Sequence, residues 1–93
     1  MAINSFADRD AEKLFKDKPV RRFQSIERQA RKRLRVLDKA KNSNDLMRNP
    51  ANKFHALQGD RKGQYAISIN DKWRICFEWN DDNAYNVEIV DYH

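Results

Sequence analysis

The spacing of apolar residues changes once along the chain, near residue 50. Val20, Phe23, Ile26, Ala30, Leu34, Leu37 and Ala40 follow one another at intervals of three and four, which places them on one stripe of a helix. This predicts a helix from about Val20 to Lys41, roughly 33 Å long at 1.5 Å per residue. Ahead of it, Ile3 to Phe6 reads as a short strand or a lead-in. Asp8 or Asp10 is placed to cap a first helix through Leu14 and Phe15, which Lys18-Pro19 ends. Asn42-Ser43-Asn44 closes the long helix, and Asp45 to Arg48 has room for one further turn before Pro50.

Beyond Pro50 the period becomes two. Tyr65, Ile67 and Ile69 alternate with Gln64, Ala66 and Ser68; Trp73, Ile75, Phe77 and Trp79 with Arg74, Cys76 and Glu78; Tyr85, Val87 and Ile89 with Asn86, Glu88 and Val90. Asn70-Asp71 and Asn80-Asp81-Asp82-Asn83 are the turns between these runs. An antiparallel meander with one apolar face follows, and Phe54 to Leu57 has the composition to add a strand before it. Helices first and a meander afterwards predict an α+β fold, two N-terminal helices packed on one face of a curved, mainly antiparallel sheet. Alternation sends Arg74, Cys76 and Glu78 to the other face, beside Gln64, Ser68 and Glu88, and strand parity adds Tyr92.

The chain has 93 residues and a net charge of +5, room for one domain. Its charge is unevenly distributed. Residues 20–41 hold nine basic residues against two acidic, whereas residues 53–93 hold five against seven. Arg21, Arg28, Arg31, Lys32, Arg35 and Lys39 lie largely off the apolar stripe. They form either a solvated helix face or a surface for a polyanion. The single cysteine, Cys76, excludes an internal disulfide. Asp8, Arg9, Asp10 and Glu12 occupy the place of a signal peptide's apolar region, and no run is long enough to span a bilayer. A reducing cytoplasm suits these features, and no membrane partner is expected.

Two histidines and one cysteine without short spacing match no zinc pattern, so no metal and no cofactor is expected. Gly59 and Gly63 flank Asp60-Arg61-Lys62, a basic turn rather than a phosphate cradle. Cleaving RNA without a metal requires a base for the 2′-hydroxyl, a cation for the phosphorane charge and an acid for the leaving 5′-oxygen. His55, Arg74, Tyr92 and His93 offer such groups from separate segments, with Lys53, Arg61 and Lys62 near them in sequence.

The runs Lys53-Phe54-His55-Ala56-Leu57-Gln58-Gly59-Asp60-Arg61-Lys62-Gly63-Gln64-Tyr65, Asn70-Asp71-Lys72-Trp73-Arg74-Ile75-Cys76-Phe77 and Val87-Glu88-Ile89-Val90-Asp91-Tyr92-His93 closely resemble the HigB-type killer toxins of the RelE/ParE superfamily. The resemblance covers nearly the whole chain and implies one RelE-like toxin domain over residues 1–93. It implies metal-independent cleavage of mRNA on the translating ribosome, and neutralisation by a HigA-type helix-turn-helix antitoxin through which alone operator DNA would be met. It implies site roles for His55, Arg74, Asp91, Tyr92 and His93, with His55 or His93 as base. A related toxin carries lysine where this chain has Gln58, which shifts charge stabilisation onto Arg74, with Arg61 beside it. Arg28, Arg31, Lys32, Arg35, Lys53, Arg61 and Lys62 are the expected RNA- and ribosome-binding residues. The alternative within the superfamily is a ParE-like toxin that binds DNA gyrase and cuts nothing.

Overall fold

The computed structural model describes residues 2–91. It runs through α1 (Arg9–Phe15), a 3-10 turn (Arg21–Ile26), α2 (Glu27–Lys39), α3 (Ser43–Met47) and a second 3-10 turn (Pro50–Asn52). Strand β1 (His55–Ala56) follows, then a third 3-10 turn (Gly59–Arg61), β2 (Tyr65–Ser68), β3 (Trp73–Asn80) and β4 (Asn83–Asp91). The strands form one antiparallel sheet in the order β1-β2-β3-β4. Residues 3–6 lie along the outer edge of β4 in the parallel sense, as bridges Ile3 to Ala84 and Phe6 to Val87. The amide of Asn4 donates to the Ala84 carbonyl at 2.8 Å and that of Ala7 to the Val87 carbonyl at 2.9 Å. This lead-in covers backbone groups that an open sheet edge would expose.

Helices α1 and α2 cover one sheet face. Leu14, Phe23, Ala30, Leu34 and Leu37 are fully buried there with Ile67, Ile75, Phe77 and Val87. Phe23 meets Trp73 edge-on, ring centroids 5.6 Å apart. The α+β fold expected from the pattern is the one observed.

Three local expectations need correction. The segment from Val20 to Lys41 is not one α-helix, because residues 21–26 are 3-10 and α2 ends at Lys39. A 3-10 turn has three residues, so Val20, Phe23 and Ile26, each three apart, share one side. The α-helix begins where the interval lengthens to four, from Ile26 to Ala30 to Leu34. Neither Val20 nor Ile26 offers a capping side chain to start an α-helix earlier. Secondly, Asn42 does not close α2 but caps α3, its side chain accepting from the Asp45 amide at 3.2 Å. Thirdly, Tyr85 is not on the helix-covered face. The pairing shifts between Cys76–Glu88 and Glu78–Tyr85, and Asn86 takes the left-handed conformation there (φ 54°). This bulge bends the strand and inverts its parity. Ala84 and Val87 are buried in the core, while Tyr85 stands beside Glu78 and accepts from the Asn4 side chain at 3.1 Å.

Leu34 lies at the middle of the buried stripe, so Leu34→Ala is expected to lower the unfolding free energy by about 2–5 kcal/mol. Urea unfolding followed by circular dichroism measures this, with the midpoint falling and the slope unchanged.

Candidate active site

The face of the sheet away from the helices carries the candidate chemistry. Pairing places His55, Ala66, Cys76 and Glu88 in one row across the four strands, and Ser68, Arg74 and Val90 in the next. His55 and Arg74 therefore project from the same face. Their backbones are separated by about 10 Å across two strand spacings and about 7 Å along them. Leu57, Ala66 and Cys76 form a small buried apolar floor with Val90 against it.

His55 is delivered by a chain of polar contacts that begins on α2. The Arg33 guanidinium donates to Asn52 Oδ1 at 2.6 Å, and Asn52 Nδ2 donates to the Leu46 carbonyl at 3.1 Å. Asn52 is fully buried, and both ends of its amide are satisfied. The next residue, Lys53, takes the left-handed conformation (φ 48°) that turns the chain into β1. Its carbonyl lies 2.7 Å from His55 Nδ1. A carbonyl only accepts, so Nδ1 carries the proton, and in the neutral ring Nε2 is left with its lone pair. That is the form a general base requires.

Arg74 is set by the turn before β3. Asn70 Oδ1 accepts from the amides of Lys72 and Trp73, each at 2.8 Å, and the Asn70 carbonyl accepts from Ser68 Oγ at 3.0 Å and from Arg74 Nη1. Arg61, at the end of the 3-10 turn between β1 and β2, donates from Nη1 to Gln64 Oε1 at 3.0 Å and from Nη2 to Glu88 Oε1 at 2.8 Å. The Glu88 hydrogen bond raises the Arg61 pKa above its ordinary value. Burial pushes the Cys76 thiol up; Arg61 and Arg74 pull it down and Glu88 adds to the rise. All three side chains share the sheet face of this buried thiol.

The predicted site residues are not all brought together. Asp91 pairs with Trp73 in the register, which puts it in a helix-face row, and its carboxylate lies 3.6 Å from Lys72 Nζ. Tyr92 and His93 lie outside the described residues. Lys53, Lys62 and Gln58 are exposed. Arg28, Lys32 and Arg35 are exposed along α2 and line a shallow groove with Val36 and Lys39. Arg31 lines a neighbouring groove with Arg28 and Arg35 but is less exposed than they are. Its Nε donates to the Leu14 carbonyl at 3.0 Å, its Nη2 to the Lys18 carbonyl at 2.9 Å, and its Nη1 to Glu27. It stitches α2 to the end of α1, at 19% side-chain exposure.

Among the described residues, no group of three or more His, Cys, Asp or Glu is placed to hold a metal ion, and no helix is long and apolar enough to cross a membrane. Sequence reasoning missed Arg33, Asn52 and Asn70. The Asn70-Asp71 turn signal was a clue to the last of these, but nothing in the spacing marks Asn52 as buried.

A family model described as the RelE-like toxin of the type II toxin-antitoxin system HigB matches residues 4–93. Toxin HigB-1 of Vibrio cholerae is 35% identical over 83 residues, covering 87% of each chain. Endoribonuclease HigB of Proteus vulgaris is 38% identical over 61 residues, 66% of this chain and 65% of that protein. In the YoeB-YefM complex from Staphylococcus aureus, one chain shares the fold at a TM-score of 0.60 and 18% identity, over 100% of this chain and 99% of that one.

Two outcomes test the site's construction. Asn52→Ala strands the Arg33 guanidinium and the Leu46 carbonyl, and thermal or urea unfolding is expected to register a loss of about 1–3 kcal/mol. Because the folded Cys76 thiol titrates above its ordinary 9.0, folding keeps a proton that the unfolded chain releases. The stability this contributes is present below pH 9 and declines as pH rises past it. Cys76→Ala is expected to flatten that alkaline decline in urea midpoints measured from pH 7 to 10.

Proposed function

Because the chain belongs to the HigB-like family, the RelE-like toxins of type II toxin-antitoxin systems, we propose that it is a metal-independent endoribonuclease that cuts messenger RNA on the ribosome. The observation that carries this reading is the projection of His55 and Arg74 from one sheet face, His55 with Nε2 available to accept a proton. The name endoribonuclease borne by the Proteus vulgaris relative supports it. Arg74 binds the scissile phosphate, where its forked donors suit two oxygens. His55 takes the proton of the 2′-hydroxyl, whose oxygen attacks phosphorus. The phosphorus–5′-oxygen bond breaks, and the leaving oxygen takes its proton from the Tyr92-His93 pair. The products are a 2′,3′-cyclic phosphate and a 5′-hydroxyl.

Membership in a toxin-antitoxin family gives the chain an antitoxin partner. Its proposed form is a HigA-type helix-turn-helix protein, which would bring the toxin to operator DNA. Arg28, Arg31, Lys32 and Arg35 are proposed to meet ribosomal RNA phosphates, Arg31 with fewer donors to offer because it also holds the end of α1. Action at the ribosome would place the protein in the cytoplasm.

Cleavage in a reconstituted translation reaction, mapped by primer extension, tests the reading. Wild type is expected to cut ribosome-bound message. Arg74→Ala is expected to lose about 10²–10³ in rate, and His55→Ala and His93→Ala about 10²–10⁴ each, all three remaining folded. Intact message with wild type, together with inhibited supercoiling by gyrase, would replace this reading with the ParE-like one.

A further inference from the structure

Arg61 and Glu88 lie on the face that carries His55 and Arg74, and neither their pairing nor its partner Gln64 is accounted for by the cleavage steps above. Arg61 leaves the 3-10 turn Gly59–Arg61, Gln64 immediately precedes β2, and Glu88 sits in β4 in the same row as His55. The two terminal nitrogens of Arg61 are each held by a different segment, Nη1 by Gln64 at 3.0 Å and Nη2 by Glu88 at 2.8 Å. A guanidinium has five N–H donors. Two are engaged by these partners, which leaves three to face a ligand.

A pair of this kind adds little as a simple clamp on the turn. The Arg61 and Glu88 side chains are 40% and 25% exposed, and ion pairs in contact with water contribute little to stability. Fixing both ends of the fork does something a clamp does not need. It removes the rotamer freedom that otherwise costs a long cation its effect on a transition state. Position points the same way. Arg61 is bonded to Glu88, which pairs with Cys76, and Arg74 is two residues from Cys76 on the same face of β3, so both guanidinium groups belong to one patch of the sheet.

We infer that Glu88 is a positioning residue for RNA cleavage, which together with Gln64 holds Arg61 as a second phosphate-binding group beside Arg74. The inference rests on the nuclease reading above. Glu88 acts through Arg61 and does not itself touch RNA.

The test is single-turnover cleavage of a defined message in reconstituted translation, with the full chain at saturating concentration. Wild type, Glu88→Gln, Arg61→Ala, Arg61→Lys and the double variant Arg61→Ala/Glu88→Gln are compared, each with its thermal midpoint. Arg61→Ala is expected to cut roughly 10²-fold more slowly. Glu88→Gln, which keeps the shape and loses the charge, is expected to cut about tenfold more slowly, the scale seen when an orienting partner is lost. The double variant is expected to be no slower than Arg61→Ala, because Glu88 has nothing left to orient. Lysine is expected to rescue poorly, lacking the fork.

Cleavage by Arg61→Ala at the wild-type rate overturns the inference alone. So does a lowered midpoint with an unchanged rate, which would mark a clamp, or a double variant in which the two losses multiply. If Arg61→Ala fails to fold, Glu88→Gln decides, since a wild-type rate there also overturns the inference. Absence of cleavage by wild type overturns the nuclease reading and the inference with it.

Discussion

Strand β3 is hydrogen-bonded along both edges, to β2 and to β4, and its alternation divides the molecule in two. Trp73, Ile75, Phe77 and Trp79 enter the helix-covered core, while Arg74, Cys76 and Glu78 face the other way. A slip of one residue against either neighbour would exchange the two sets. It would drive a guanidinium and a carboxylate under α2 and expose two tryptophans, at a cost of several kcal/mol for each unpaired charge. The register is therefore held by the core, and the site inherits its geometry from that register. His55 reaches the same face as Arg74 only because Ala66 pairs with both His55 and Cys76.

That division was legible in the sequence because period-two alternation is a direct image of strand geometry. The positions of Arg74, Cys76, Glu88, Ser68 and Gln64 on one face follow from counting. Tyr85 escaped because the bulge at Asn86 depends on a residue in the left-handed region, which asparagine tolerates without announcing. The 3-10 turn before α2 was present in the intervals of exactly three between Val20, Phe23 and Ile26, but a stripe of threes and fours reads as one helix unless the transition is looked for. Arg31 escaped for another reason. Its carbonyl partners, Leu14 and Lys18, lie well back along the chain, so its spacing on α2 says nothing about them. Asn52 is the same problem in a buried setting. Polar residues are usually exposed, and only the fold reveals one enclosed between Arg33 and the Leu46 carbonyl.

The supporting groups explain how so small a chain keeps a site in order. Lys53 carries its carbonyl to His55 Nδ1, and Asn70 carries its carbonyl to Arg74. In each case a residue in a turn fixes a side chain on a strand, so the strand supplies position and the turn supplies orientation. Asn52 ties the first of these turns to α2, so packing of α2 on the core is communicated to His55 without any direct contact between helix and histidine.

Charge completes the division. The basic surplus lies on residues 20–41, whereas residues 53–93 carry more acid than base. Helix α2 lies across the opposite face of the sheet from His55 and Arg74, and a helix packed on a sheet is separated from the far face by about 10 Å or more. At physiological ionic strength the screening length is about 8 Å. The field of Arg28, Lys32 and Arg35 is therefore weak where Arg74 stands. A phosphate on the sheet face must be held locally, and the cations there are few. Glu88 would repel it if its charge were not met by Arg61. The two surfaces are therefore electrostatically separate: a broad basic one along α2, and a narrow one on the sheet whose cations are individually held by Asn70, Gln64 and Glu88.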